Sequence, residues 1–236
     1  MGNLERALRY PFSGEGWIAK FILGGFFCAL ASLLNFIPFI GWIFWILISL
    51  VPLGYAYGVF KDRLAGKAGP LPSWRGWGDF VYRGFFVFLI VLAYGIVPGI
   101  LYGIGEILWT AGRFAAFFGV LFLILGVGIG LSVSFLLPMA VALYAGQGEF
   151  FTAAFRWNQI VEKIWLVQKE YFTAWLAGLV LFLALLFLRS HILFLGWILY
   201  SFGFFYFLLV AAYLLVIGKP HLDSPRDTPY RDTIMR

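Results

Sequence analysis

Residues 85–109, FFVFLIVLAYGIVPGILYGIGEILW, then Thr110-Ala111-Gly112-Arg113, then residues 114–144, FAAFFGVLFLILGVGIGLSVSFLLPMAVALY, decide the fold. Along this stretch only Glu106 and Arg113 are charged. A helix rises about 1.5 Å per residue, so about 20 apolar residues cross a hydrocarbon layer of about 30 Å. Two such runs parted by a short turn read as two spanning helices. Lipid offers the backbone no hydrogen-bond partner, so a span is either a helix or a strand of a closed barrel. The alternation of apolar and polar residues that a barrel strand needs is missing.

Working outward, the same measure gives six spans: 17–36, 40–60, 85–109, 114–144, 171–188 and 192–217. The fold class is an all-α membrane protein, six transmembrane helices arranged as three hairpins. The chain reads as one polytopic domain over 1–218 and a charged, proline-containing tail over 219–236. Composition agrees: of 236 residues 63% are hydrophobic, 21% aromatic and only 12% charged. An ordinary soluble domain carries about 25% charged residues, and fewer than half as many cannot cover a water-facing surface. Arg6, Arg9 and Lys20 before the first run make too long a positively charged region for a cleaved signal, so that run is read as a retained span. Pro52, Pro98 and Pro138 fall inside spans two, three and four, where each removes a backbone donor and predicts a kink.

Charge placement orients the spans. Of the 17 lysines and arginines, all but Arg113 and Arg189 lie in the N-terminal segment, the 61–84 linker, the 147–170 linker or the tail. An even number of spans puts all four regions on one side, and the positive-inside rule makes that side cytoplasmic, with both termini there. The location expected is the cell (plasma) membrane, multi-pass. The net charge of +6 then meets anionic headgroups and gives no ground for a nucleic-acid partner. Both inner linkers carry apolar residues at helical spacing. In the first these are Trp74, Trp77, Phe80 and Val81; in the second Phe151, Ala154, Phe155, Val161, Ile164 and Trp165, opposite Arg156, Gln159 and Lys163. Both are expected to form amphipathic helices in the headgroup layer. Trp17, Trp74, Trp77, Trp165 and Trp175 are the expected interface anchors.

Chemistry-bearing residues are sparse. Glu106 is the one carboxylate at or near the interior of a span, which makes it the candidate ion or proton site. Arg113 lies across the turn, so a structural ion pair or a carboxylate reaching outer water is the competing reading. His191 and His221 fall on opposite faces, Cys28 stands alone, and Ser49, Ser132, Ser134, Thr173 and Ser201 have no His or Lys nearby in sequence to activate them. No catalytic residue, metal site or cofactor is expected, and no enzymatic activity. Gly54 with Gly58, Gly95 with Gly99 and Gly103, and Gly126 with Gly130 space small residues one turn apart, as helix-packing faces do in membranes.

Two stretches carry a resemblance. One is Ala7-Leu8-Arg9-Tyr10-Pro11-Phe12 with Trp17 and Gly24-Gly25. The other runs from Gly54-Tyr55 through Arg63 to Gly69-Pro70-Leu71-Pro72-Ser73-Trp74, then Trp77-Gly78-Asp79-Phe80 and Gly84. Together they resemble an uncharacterised bacterial and archaeal membrane family, domain-of-unknown-function family 4013, whose members share a Leu-Pro-x-Trp-x-x-Trp-x-Asp linker. The Ala153-Ala154-Phe155…Tyr171 segment and the closing Ala212-Tyr213…Gly218 are similar less specifically. The resemblance implies a multi-span helical domain and assigns no activity. The functional expectation is an accessory or scaffold subunit packing with lipid and with other membrane subunits or its own copies. The alternative is a transporter or channel for a small or lipidic substrate.

Overall fold

In the computed structural model, which describes residues 3–67, 69–214 and 216, the described regular structure is helical throughout. Two short helices flank the bundle: α1, Asn3–Arg9, and α6, Trp157–Leu166. Six helices are long and apolar enough to cross a membrane: α2 (Trp17–Leu34), α3 (Gly41–Leu64), α4 (Trp77–Thr110), α5 (Arg113–Gly146), α7 (Gln168–His191) and α8 (Leu193–Leu214). All six expected spans are present. The tail 219–236 lies outside the described residues.

Helices joined by short turns pack on one another: α2 on α3, α4 on α5, α7 on α8. In addition α3 packs on α4, and α8 returns to α2 and α3. The third helix is the hub, with 56% of its apolar window buried against 6% for α5. Tyr55, Phe60, Ile90, Phe205 and Leu209 fill the core around it. Where α3 crosses α4, a Cβ on Gly54 would overlap the carbonyl oxygen of Phe80, and one on Gly84 that of Leu50. Lipid supplies no hydrophobic drive between helices, so bare backbone allows the approach that makes this contact. Beyond Tyr94, α4 is exposed or half-exposed except at Gly105, which faces α5. The outer halves of α4 and α5 therefore stand as a pair with most of their apolar surface outward.

One expected element does not form. Residues 74–83 are no separate amphipathic helix: α4 starts at Trp77 and continues into the span without a break, while the residues before it are non-helical. Pro70 and Pro72 deny that stretch helical donors and extend the residues before them, and Gly76 turns the chain with a φ of 79°. The second linker does form a distinct helix, α6, preceded by a 3-10 turn at Phe151–Phe155. Its buried side is Ile160, Lys163 and Ile164, so Lys163 lies on the inward face rather than the polar one expected of it.

Candidate functional site

The linker after α3 is fixed to the bundle carbonyl by carbonyl. An extended, proline-rich chain cannot bond to itself, so side chains must answer its backbone oxygens. Arg63 donates to Gly69 O at 3.0 Å, Lys20 to Leu71 O at 2.6 Å, and the Tyr55 hydroxyl to Pro72 O at 2.7 Å. Trp74 completes the clasp, its indole N–H donating to Lys20 O at 3.0 Å. Its ring stacks on Tyr55 with centroids 4.0 Å apart and planes 13° from parallel. The Arg63 guanidinium lies 4.4 Å from the Tyr10 ring centre and 4.9 Å from that of Tyr213. Beside it is a shallow cleft of about 70 Å³, lined by Tyr10, Asp62, Lys67 and the linker prolines among others. Lys67 there bonds Asp62 at 3.3 Å, so the cleft largely answers its own charges. Burial pushes the Tyr10 hydroxyl above the ordinary range, against the opposing pull of Arg63.

A second polar cluster forms where α3, α4 and the turn after α5 meet. Gly148 and Glu149 both adopt left-handed backbone, with φ of 75° and 63°. That conformation is uncommon for a side-chain-bearing residue, and such strain persists only where the surroundings enforce it. Here they do. The Glu149 N–H donates to Tyr144 O at 2.9 Å, and its carboxylate accepts from the Tyr57 hydroxyl at 3.0 Å and from Lys61 Nζ at 2.9 Å. Partial burial raises the Glu149 carboxyl, but the Lys61 and Tyr57 hydrogen bonds with the Lys61 and Arg83 charges outweigh it, holding the group below its ordinary value. Arg83 reaches over α3, its Nη1 3.5 Å from where a Gly58 Cβ would stand. Two residues before Glu149, Gln147 accepts from Arg156 at 2.9 Å and donates to Gln159 at 2.8 Å, joining this corner to α6. The Tyr94 hydroxyl bonds Ala154 O at 2.7 Å and fixes the 3-10 turn. Two cations, Lys61 and Arg83, thus act on one carboxylate, and Arg156 joins the same turn through Gln147.

A family model described as a protein of unknown function, DUF4013, matches residues 30–194, well over half of the chain. The chain belongs to the DUF4013 family. The match takes in the clasped linker, both polar clusters except Lys20, Tyr10 and Tyr213, the whole of α3, α4, α5 and α7, and the ends of α2 and α8. The opening around Tyr10 and the closing Ala212-Tyr213 lie outside it. No curated protein and no solved structure matches the chain.

The residues singled out in this DUF4013 sequence fall into groups the sequence did not separate. Glu106 and Arg113 are both exposed and form no ion pair with each other. Gly54 is buried at the α3–α4 crossing and Gly58 lies beneath Arg83. Gly126 packs on α4, where a Cβ would stand 3.0 Å from Tyr102 N and 3.3 Å from Pro98 O, and Gly130 faces Pro98. Gly95, Gly99 and Gly103 face no other helix among the described residues: a Cβ at each meets no described atom within 4 Å. The reason is angular. The face of α4 toward α5 runs through Pro98, Tyr102, Gly105 and Trp109, against Gly119, Leu123 and Gly126, and the expected glycine seam lies off it.

Among the tryptophans, Trp77 and Trp165 remain exposed as interface anchors would be. Trp17 is half-buried against Phe12, and Trp175 donates to Ser134 at 3.2 Å. Trp74, expected as an anchor, is instead part of the core packing, drawn inward by the extended linker. Among the described residues, no three His, Cys, Asp or Glu side chains stand together as metal ligands. Sequence reading missed the Tyr57, Lys61, Arg83 and Glu149 cluster, because its members come from three elements far apart in the chain. The only local signal is an acidic residue directly after a helix-ending glycine, Gly148-Glu149.

Proposed function

We propose that this DUF4013 protein is a non-enzymatic accessory or scaffold subunit of a prokaryotic plasma membrane, binding lipid and other membrane subunits or its own copies. It crosses the bilayer as three hairpins, with both termini and both long linkers on the cytoplasmic side and α6 in the headgroup layer. The supporting observation is where contact is made and where it is withheld. The polar side chains cluster at the linker end and are engaged in holding the linkers, whereas α4 and α5, each 34 residues long, keep most of their surface for something outside the chain. Small residues on an outward face let a foreign helix approach closely.

Native mass measurement after release in mild detergent tests this reading. The wild-type chain should leave the membrane in an assembly heavier than its own 26.7 kDa, and Gly99→Leu should shift most of it to the single-chain mass with its melting temperature unchanged. Wild-type protein found as a single chain with lipid alone would overturn the proposal.

A further inference from the structure

Arg83 lends its charge to Glu149 but leaves its fork of donors open. It is half-buried over the bare backbone of Gly58, and no described residue accepts a hydrogen bond from it. The neighbouring carboxylate of Glu149 is already committed to Lys61 and Tyr57 through one oxygen. Arg156, bonded to Gln147 two residues before Glu149, brings a further positive charge to the same turn. One carboxylate against Lys61, Arg83 and Arg156 leaves a positive corner with a planar fork of donors unfilled, the geometry that takes a phosphate in bidentate fashion. The surroundings are apolar and outward: Tyr82, Phe85, Phe150 and Trp157 are exposed large side chains of the same elements. A charged headgroup site on elements that carry such residues suits a ligand with acyl chains.

We propose that Arg83, with Lys61 and Arg156, forms a binding site for the phosphate of an anionic phospholipid, built between α3, α4 and the turn at Gln147–Phe150. Glu149 is a positioning residue there: it fixes Lys61 at the rim and keeps that cation from swinging away. The strained backbone at Glu149 serves this placement. The inference shares with the proposed function the reading that the chain lives in a bilayer, but it needs neither a protein partner nor a given orientation.

The test uses the full-length protein in neutral detergent micelles doped with either phosphatidylglycerol or phosphatidylcholine, followed by thermal melting and native mass measurement of retained lipid. Phosphatidylglycerol should raise the melting temperature and remain bound, whereas phosphatidylcholine should do neither. Arg83→Gln should weaken phosphatidylglycerol binding about tenfold, the loss of one charge-assisted hydrogen-bonded contact. Arg83→Lys, which keeps the charge without the fork, should fall between, and Arg9→Gln on α1 should bind as wild type. Because binding is read in micelles, its failure leaves the assembly proposal untouched, and failure of assembly leaves this one untouched. An equal phosphatidylglycerol effect in Arg83→Gln would overturn the site. Protection by glycerol phosphate alone, lost in Arg83→Gln, would overturn the lipid assignment in favour of a soluble phosphate ester.

Discussion

Gly54→Leu should abolish the packing of α3 on α4 and leave little folded protein to purify. The side chain would start inside the carbonyl oxygen of Phe80, and backbone cannot move aside as a flexible side chain can. Gly84 presents the mirror-image contact to Leu50 O, so neither helix can slide to relieve the other. Overpacking a close-fitted site costs about 1–3 kcal/mol and occasionally more. This case belongs at or beyond the upper end, because two backbones must separate along the hub of the bundle. Even Gly54→Ala should lower the melting temperature, against the usual gain of about 1 kcal/mol when alanine replaces a helical glycine. Gly99→Ala is the control: with nothing within 4 Å of its Cβ, it should leave single-chain stability unchanged or slightly raised. Thermal melting of the three variants in one detergent checks the order. Equal losses at Gly54 and Gly99 would contradict the helix faces assigned here.

Trp74→Ala should be nearly as damaging, by a different route. It removes the ring stacked on Tyr55 and the donor to Lys20 O, and so opens the clasp that holds the linker. Truncation of a packed tryptophan costs about 3–5 kcal/mol. Lys20 and Tyr55, released from their alignment, would then hold Leu71 O and Pro72 O less well, so the loss should extend to the neighbouring bonds. Trp77→Ala, at the first residue of α4 and exposed, should cost far less. Limited proteolysis gives a second readout: cleavage within residues 67–76 should appear in Trp74→Ala and not in Trp77→Ala. If both variants melt alike and resist cleavage alike, Trp74 is a surface residue and the clasp is not what fixes the linker.

Spans were legible in the sequence because the cost of an unsatisfied backbone in lipid allows one solution for twenty consecutive apolar residues. The linkers were harder. Their aromatic spacing fitted a helix, and in the first linker that reading failed at Trp74 because Pro70 and Pro72 extend the chain before it. Phe80 and Val81 did become helical, but as the first turns of the span itself. Glycine spacing named the right kind of contact without its direction. Gly54 and Gly126 meet another helix while Gly95, Gly99 and Gly103 do not, and period alone carries no azimuth. The polar corner was illegible for a topological reason: Tyr57 and Glu149 are 92 residues apart, and nothing local to either says that they meet. Glu106 stands out in sequence as a charge in an apolar run, and in the fold it is exposed and makes no ion pair with Arg113 across the turn.

Orientation across the bilayer is the claim on which the account rests, and cysteine accessibility in intact cells measures it most directly. In a Cys28→Ala background, Ser73→Cys reports the first linker and Ser190→Cys the turn end of α7. A membrane-impermeant thiol reagent should label Ser190→Cys from outside. Ser73→Cys should stay unlabelled until the cytoplasmic face is opened. Labelling of Ser73→Cys in sealed cells, or of both positions from the same side, would contradict six spans with their linkers inside.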